Sequence, residues 1–474
     1  MLDAIAPRLF AVVLAAGKGT RMKSALPKVL HTVLGKPLVT WSIEAVVGAG
    51  ASDVVAVVGH GAQRVTATVQ ARFGDRVQTV IQTEQRGTGH AVLCALPAIP
   101  DDVDDVLIVC GDTPRLAASA LLQLVQQRRR LESLISLWTT VVDVPTGYGR
   151  IVRDEDQRVC AIVEEKDASD KHRALREINP GVYCVQAGFL RRALPQLTAN
   201  NAAGELYLTD LIALAVRENA RSVSALSVDV DLTQGINDRV QLAEAEAWAR
   251  AQRIRQLRID GVTVREAAGT TIDADVVCGV DVTIEPNVCL RGSTRIGNNV
   301  VIGQGAVITD CVIDDDAVIH PYSVCDKAHV RNGAVVGPFA RLRPEADVGV
   351  GAHVGNFVEL KKTILGAGSK ANHLAYLGDA VIGDGVNVGA GTITCNYDGI
   401  GKHQTVLGDG VFVGSNSTLV APLLVGAGAY IAAGSVITDD VPANALALGR
   451  ARQTIKEGRA AVVRENNAVR AGKR

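Results

Sequence analysis

The sequence predicts two fold classes in series, an α/β sheet domain in front and a parallel β-helix behind. Three observations predict it. Short apolar runs alternate with helical stretches through the first half, while aliphatic residues recur every six positions through much of the second. The chain also carries 47 glycines but only 3% aromatics, a balance that suits thin, regularly turning coils better than thick aromatic cores. At 474 residues it is too long for one compact core.

In chain order, the apolar runs at 9–15, 54–58, 77–81, 106–110 and 134–137 read as buried strands. Stretches 40–47 and 119–130 carry helical spacing between them. Strand–helix alternation predicts a mostly parallel sheet covered by helices on both faces. Residues 238–257 contain Leu, Ala, Glu and Arg with no Gly or Pro, which predicts a long helix connecting two domains.

Beyond Asp260 the repeat begins. Its aliphatic positions are Ile284, Leu290, Ile296, Ile302 and Ile308, then Val336, Leu342, Val348, Val354 and Leu360, then Val413, Leu419, Val425, Ile431 and Ile437. Glycine follows directly in Ile296-Gly297, Ile302-Gly303, Val354-Gly355, Ile382-Gly383, Val413-Gly414 and Val425-Gly426. One aliphatic side chain per short face fills a narrow interior, and a small residue turns the corner. A chance run of glycine-rich strands in a sandwich would not keep this phase. A solenoid needs its ends covered and commonly oligomerises. The basic tail 456–474 reads either as such a cap or as a disordered segment.

Apolar residues at 47% and charged ones at 21% describe a globular chain, and a formal net charge of -1 offers no broad basic field for nucleic acid. The nine cysteines stand singly with no C-x-x-C pair, which reads as reduced thiols rather than a disulfide framework or a zinc site. Residues 1–8 lack the layout of a secretory signal, and no uncharged apolar run reaches the ~20 residues that cross a bilayer. The expectation is a cytoplasmic protein with no membrane partner.

The first strand runs into Ala15-Ala16-Gly17-Lys18-Gly19-Thr20-Arg21-Met22, a glycine-rich loop whose backbone N–H groups can wrap phosphates or simply make a turn. It is neither a P-loop nor a dinucleotide fingerprint, because the required glycines and the Ser or Thr after lysine are missing. Arg21 and Lys28 supply cations for a polyphosphate. The strand at 106–110 ends in Gly111-Asp112, where open α/β sheets bind ligands. Asp112 is a candidate Mg²⁺ ligand beside substrate phosphates or a turn or N-cap residue, the commoner role for an aspartate taken alone.

In the second half the hexad period breaks at Lys361-Lys362-Thr363 and at 395–404, where loops are expected to leave the coil. Between the breaks lies His373. His373 is either a general base or a structural histidine.

The motifs together resemble a known family. Leu14-Ala-Ala-Gly-Lys-Gly-Thr-Arg-Met22, Pro27-Lys28, Gln82-x-Glu84-Gln85-x-Gly87-Thr88-Gly89-His90, Gly111-Asp112 and Gly147-Tyr148-Gly149-Arg150 are similar to sugar-1-phosphate nucleotidyltransferases. Val163-Glu164, Glu177-Ile178-Asn179 and Gly235-Ile236-Asn237 continue the likeness. Arg343-Pro344, Gly355-Asn356-Phe357-Val358-Glu359, Lys361-Lys362, His373-x-x-Tyr376-x-Gly-Asp379, Asn387, Gly391-Thr392 and Cys395-Asn396-Tyr397-Asp398-Gly399 extend it through the second half. In this order they resemble the bacterial bifunctional N-acetylglucosamine-1-phosphate uridyltransferase/glucosamine-1-phosphate acetyltransferases.

That resemblance implies a Rossmann-like nucleotidyltransferase domain over 1–237, a linker helix over 238–260, a left-handed β-helix over 261–452 and a basic tail over 453–474. It implies nucleoside contacts at Leu14, Ala15, Ala16, Gly17, Gln82, Gly87 and Thr88 and a phosphate contact at Lys28, with Arg21 and Gly111 also in the nucleotide- and sugar-binding set. Mg²⁺ would be held by Asp112 and Asn237, and the N-acetylated sugar by Gly149, Glu164 and Asn179. In the trailing half His373 becomes the general base, with Arg343, Lys361, Tyr376 and Asn387 on the aminosugar phosphate. Acetyl-CoA falls to Ala390, Asn396, Tyr397, Ser415, Ala433 and Arg450. The implied substrates are glucosamine 1-phosphate, N-acetylglucosamine 1-phosphate, acetyl-CoA and UTP, and the implied assembly is a homotrimer. Three residues depart from relatives: Cys110 for Tyr, Pro180 for Thr, and Asn372 for the Gly before the histidine.

The implied front reaction is in-line attack of a sugar-phosphate oxygen on the α-phosphorus of UTP, expelling pyrophosphate. That oxygen is already anionic, so positioning and charge neutralisation suffice. Two other readings compete. One is a single-activity nucleotidyltransferase whose β-helix only oligomerises; the other is a non-catalytic exchange-factor-like subunit, which would lack the Lys28 and Asp112 set.

Overall fold

The computed structural model describes residues 7–473, so the opening residues 1–6 used above to judge a secretory signal, and Arg474, lie outside the described residues. Two compact units divide between Arg253 and Ile254.

The leading unit is built on a ten-stranded sheet. Its strands are β1 (Leu9–Ala15), β2 (Asp53–Val58), β3 (Val77–Ile81), β4 (Asp105–Cys110) and β5 (Ile135–Val141), followed by β6 (Gly149–Arg153), β7 (Val159–Val163), β8 (Glu177–Asn179), β9 (Tyr183–Gln186) and β10 (Val223–Ser227). The order is β3-β2-β1-β4-β9-β5-β8-β6-β7, with β10 beside β5. Helices α1 (Leu38–Gly48), α2 (Ala62–Phe73) and α4 (Ala118–Leu131) cover one face. Helices α3 (Thr88–Ala95), α5 (Ala187–Ala193) and α6 (Asp210–Glu218) cover the other. Strand periodicity divides β1 between the two cores: Phe10 and Val12 pack on the α3 side, while Ala11 and Val13 pack on the α1 side.

The sheet is parallel only through β3, β2, β1 and β4 and between β5 and β10; every pairing of β9, β8, β6 and β7 is antiparallel. This corrects the expected mostly parallel sheet. The antiparallel strands are short, and β6 and β7 meet through a tight turn after Arg153 in which Gln157 takes a left-handed backbone. Short hairpins of this kind leave no long apolar run to read.

The long helix α7 (Arg239–Ile259) begins where expected because the Asp238 carboxylate accepts from the N–H groups of Val240 and Gln241, each at 2.9 Å. The division between units falls within it. Ile254 and Leu257, on its last turns, join the apolar interior of the trailing unit and cover the end of its first coil.

That trailing unit is a parallel β-helix of three sheets carrying eleven, ten and nine strands. Successive coils pair in register, as in Val335 over Val318 and His353 over Val335. All fifteen sequence-predicted aliphatic positions lie in its single buried core. The break at Lys361–Thr363 is no loop, which corrects the expectation. The strand Glu359–Lys361 turns directly into Ile364–Leu365 through Lys362 at φ 48°, a corner one residue shorter than the hexad. The break at 395–404 is a true excursion and stretches one coil to 25 residues, against 17 for the coil before it. The tail contains an exposed helix, α8 (Arg459–Arg470). Among the described residues no helix is long and apolar enough to cross a membrane.

Candidate functional site

In the leading unit the carboxyl ends of β1 and β4 are neighbours, Leu14 opposite Cys110, so the loops that follow them meet. Gly111 closes that junction, its N–H donating to the Leu14 carbonyl at 2.8 Å. In the glycine-rich loop, Gly19 takes φ 58°, and a Cβ there would sit 2.5 Å from Cβ of Lys28. Glycine at this turn is therefore what lets Lys28 fold back over the loop. The Lys28 ammonium forms an ion pair with Asp112 and donates a further hydrogen bond to the Asn237 side-chain oxygen at 3.2 Å. Asn237 is carried there by Ile236, whose N–H donates to the Asp112 carbonyl at 2.9 Å.

A cavity of about 390 Å³ opens beside this cluster. Leu14, Ala15, Ala16, Gly17, Lys28, Gln82, Gly87, Thr88 and Asp112 line it, all of them sequence-predicted. Gln85, not singled out as a contact from the sequence, bridges its walls by donating to the Ala16 carbonyl at 2.6 Å. Gln82 donates to the Gly87 carbonyl at 3.1 Å. Cys110 also lines the cavity; burial and then the Asp112 charge push its thiol up to about 12, so it stays neutral. Arg21 is exposed on the turn Thr20–Met22 and is not among the lining residues; its charge acts on the nearby Tyr148.

Gly149, Glu164 and Asn179 lie apart from that lining and form a second group. Asn179 pairs with Gly149 across β8 and β6, and Glu164 follows β7 directly. A Cβ on Gly149 would approach the Glu164 Oε2 at 3.4 Å, so the glycine leaves that oxygen room. Asn179 is fixed at both ends: its amide donates to the Tyr183 hydroxyl at 2.6 Å and its oxygen accepts from Gly181 N–H at 3.1 Å, spanning Pro180. Burial raises the Glu164 carboxyl above its ordinary range, opposed by a hydrogen bond from Thr209.

Whether the cluster suits a divalent cation is decided by its donors. The Asp112 carboxylate and the Asn237 amide oxygen already converge on one positive point, the Lys28 nitrogen. Two hard oxygens aimed at one cation, completed by substrate phosphates and water, fit Mg²⁺. No group of three or more His, Cys, Asp or Glu side chains that could cage a metal occurs among the described residues.

In the trailing unit His373 ends the strand Lys370–His373, directly over Asn356 of the coil below. Its Nδ1 lies 2.8 Å from the Asn356 Oδ1, an atom that can only accept, so in the neutral ring this contact favours the tautomer with the hydrogen on Nδ1 and the lone pair on Nε2. Gly355 lets this strand lie close, since a Cβ there would meet the Asn372 carbonyl oxygen at 2.0 Å. Tyr376 lies over Glu359, and Glu359 accepts from Arg343 at 2.9 Å. Lys361 donates to Asp379 at 3.1 Å, and Asn396 donates to the same carboxylate oxygen. Burial alone would raise Asp379, yet the bonds from Asn396 and Lys361 outweigh it and hold the carboxylate below its usual range. Lys402, on the excursion, lies against Lys361; their contact holds Lys361 up and pushes Lys402 down. Asn387 stands one coil above Lys370, on the His373 strand.

Three of the six residues implied for acetyl-CoA align along one edge. Ala390, Ser415 and Ala433 climb coil by coil from His373, through the contacts of Gly391 N–H with the His373 carbonyl, Asn416 N–H with the Ala390 carbonyl and Gly434 N–H with the Ser415 carbonyl. Tyr397 is exposed on the excursion and donates to the Gly399 carbonyl at 2.6 Å. Arg450 is exposed beyond the final coil. Asn396 is buried and donates to Asp379, which places it with the Lys361–Asp379 pair and not on that edge.

Sequence reasoning missed Asn356, Glu359, Asp379 and Lys402 as working partners. Asn356 and His373 are 17 residues apart, the coil length, so an offset of one coil is the signal that finds such pairs.

Residues 11–205 match the family described as the MobA-like NTP transferase domain, and residues 294–327 match the bacterial transferase hexapeptide repeats. A relative from Sorangium cellulosum named "Bifunctional protein GlmU" is 51% identical, with 95% of each chain covered. Relatives with the same name from Pelobacter propionicus and Trichlorobacter lovleyi are each 48% identical, covering 94% and 96% of this chain and 97% and 99% of their own.

Proposed function

The chain belongs to the bifunctional GlmU family, and from that membership we propose how its two sites divide the work. It is a bifunctional enzyme of UDP-N-acetylglucosamine synthesis, supplying precursors for peptidoglycan. One activity acetylates glucosamine 1-phosphate with acetyl-CoA; the other transfers uridylyl from UTP to N-acetylglucosamine 1-phosphate and releases pyrophosphate.

In our reading the β-helix carries acetylation. The His373 Nε2 takes the proton of the amine as its nitrogen attacks the thioester carbonyl; the C–N bond forms, the C–S bond breaks and coenzyme A leaves as thiolate. Asn356 keeps the imidazole in the tautomer this requires. Arg343, Lys361, Tyr376, Asn387 and, beyond the sequence expectation, Lys402 hold the phosphate of the aminosugar. Ala390, Tyr397, Ser415, Ala433 and Arg450 receive acetyl-CoA, with Asn396 bracing Asp379 and Lys361 below them.

The sheet unit carries uridylyl transfer. Leu14 to Gly17, Gln82, Gly87 and Thr88 hold the nucleoside, Lys28 and Arg21 hold phosphates, and Gly149, Glu164 and Asn179 hold the sugar. The nucleotidyltransferase family uses a divalent metal. We take it to be Mg²⁺ on Asp112 and Asn237, neutralising charge on the phosphates when bound. Lys28 spans the same two residues and so couples phosphate neutralisation to that site.

The observation that carries this reading is the convergence of Lys28, Asp112 and Asn237 beside a cavity lined by the glycine-rich loop. We further propose a cytoplasmic homotrimer of left-handed coils, with no nucleic acid or membrane partner. Cysteines that form no disulfide among the described residues support the first, and an exposed stack of Tyr322, Phe339 and Phe357 rings at 5.4 and 5.5 Å offers a surface for contact between copies. The test supplies glucosamine 1-phosphate, acetyl-CoA, UTP and Mg²⁺, omitting one at a time. Omission of acetyl-CoA should leave the glucosamine derivative unacetylated, and omission of UTP or Mg²⁺ should stop the sequence at N-acetylglucosamine 1-phosphate. Acetyl-CoA left untouched in the full mixture overturns the two-reaction account.

A further inference from the structure

Thr209 stands at the N-cap of α6, where a threonine hydroxyl ordinarily accepts from the first turn of the helix. Here its side chain makes no cap hydrogen bond. The hydroxyl instead donates to the Glu164 Oε1 at 3.0 Å, 45 residues away in sequence. Thr209 is 4% exposed, so the bond is made out of water. The other carboxylate oxygen, Oε2, faces the gap left by Gly149.

The segment before Thr209 is stitched to the loop at 86–89. Leu206 N–H donates to the Arg86 carbonyl at 2.8 Å, and the Leu206 carbonyl accepts from Gly89 N–H at 2.8 Å. Leu208 N–H donates to the Thr88 hydroxyl at 3.2 Å. A Cβ on Gly87 would lie 2.5 Å from the Leu206 carbonyl oxygen, so the contact is close along its length. One short strap thus touches the loop that lines the nucleotide cavity and ends on the carboxylate beside Gly149.

We propose that Thr209 is a positioning residue for uridylyl transfer: it fixes one oxygen of Glu164, so that the other is aimed at a hydroxyl or amide N–H of the sugar phosphate, in register with the nucleoside loop. This rests on the reading above that Glu164 binds the sugar. A helix that gives up its cap to orient a half-buried carboxylate loses local stability, and orientation of the acceptor is what that loss provides. Groups of the same charge surround Glu164: Asp210 on α6, Asp167 and Glu205, with Tyr183 and Tyr207 also within electrostatic reach. Burial raises the Glu164 carboxyl and the Thr209 hydrogen bond opposes that rise. Removing the hydroxyl therefore moves protonation of Glu164 to higher pH.

The experiment is steady-state uridylyl transfer by the full-length protein, with N-acetylglucosamine 1-phosphate and UTP varied separately. In T209V the KM for the sugar phosphate should rise about tenfold, the scale of a lost hydrogen bond to a charged group. The kcat should stay within about twofold, the KM for UTP should not move, and the acidic limb of kcat/KM for the sugar phosphate should shift to higher pH. T209S, which keeps the hydroxyl, should restore both quantities. An unchanged KM for UTP, read on the same sheet unit, together with an unchanged thermal melt of the full-length protein, reports that each variant is folded. E164Q separates the two readings. If E164Q raises the KM for the sugar phosphate and T209V does not, the positioning role falls and the sugar-site reading stands. If E164Q leaves that KM unchanged, both fall. Equal rises in both KM values, or no rescue by serine, mark Thr209 as merely structural and overturn the proposal.

Discussion

Replacing Asn356 with alanine tests whether His373 works as a base held in one tautomer. The bond in question is a single neutral hydrogen bond of 2.8 Å between Nδ1–H and Oδ1, exposed to solvent. Bonds of this kind contribute about 1 kcal/mol net, or a factor of about five. N356A should therefore lower kcat for acetyl transfer about fivefold, with the KM for acetyl-CoA little changed. H373A removes the base itself and should cost roughly 10²–10⁴-fold. Because the orienting residue acts through the imidazole, N356A combined with H373A should be no slower than H373A alone. Release of coenzyme A thiol measures acetylation, and pyrophosphate release from UTP and N-acetylglucosamine 1-phosphate should be near normal in all three proteins. Two results refute the reasoning. Acetylation within a few-fold of normal in H373A would give the base role to another group. A double variant slower than H373A by the full factor would mean that Asn356 acts on substrate and not through the histidine.

Loss of Asp112 to alanine should reduce uridylyl transfer by at least about a hundredfold while sparing acetylation, and chelation of the divalent cation should give the same division; a D112A protein active in both reactions removes the metal role. G355A would force a Cβ to within 2.0 Å of the Asn372 carbonyl oxygen, pushing the His373 strand outward. It should cost about 1–3 kcal/mol of stability and depress acetyl transfer without touching uridylyl transfer, read by thermal melting and the two assays. Cys110 tests a pH argument: a thiol pushed up to about 12 stays neutral well above physiological pH, and the neutral thiol does not attack alkylating reagents. Iodoacetamide near neutral pH should leave Cys110 unmodified and uridylyl transfer intact, as checked by peptide mass spectrometry; rapid labelling of Cys110 sinks that environment.

Much of this molecule was legible from residue order because its strongest signals are local or periodic. The aliphatic positions from Ile284 to Ile437 fall in one core because a narrow coil admits only one inward side chain per face. The strands at Leu9–Ala15 and Val77–Ile81 have the bounds read from their apolar runs. The antiparallel half of the sheet was not legible, since strands as short as Glu177–Asn179 are stabilised by pairing with their neighbours and not by their own composition. Lys361–Thr363 looked like a loop, but a left-handed backbone at Lys362 lets the corner close with one residue fewer.

What the sequence determined by itself is the inventory: a glycine-rich turn after the first strand, Asp112 at a strand end, a hexad solenoid, and a histidine between its two irregularities. Those features depend on neighbours in the chain, where spacing alone fixes which way a side chain points. Only the tertiary structure decided the partners. Lys28 meets Asn237 across 209 residues, Thr209 reaches Glu164 in place of its own helix, and Asn356 supports His373 from the coil below. Such pairs are set by how sheets and coils stack, and stacking brings together side chains that no local pattern links.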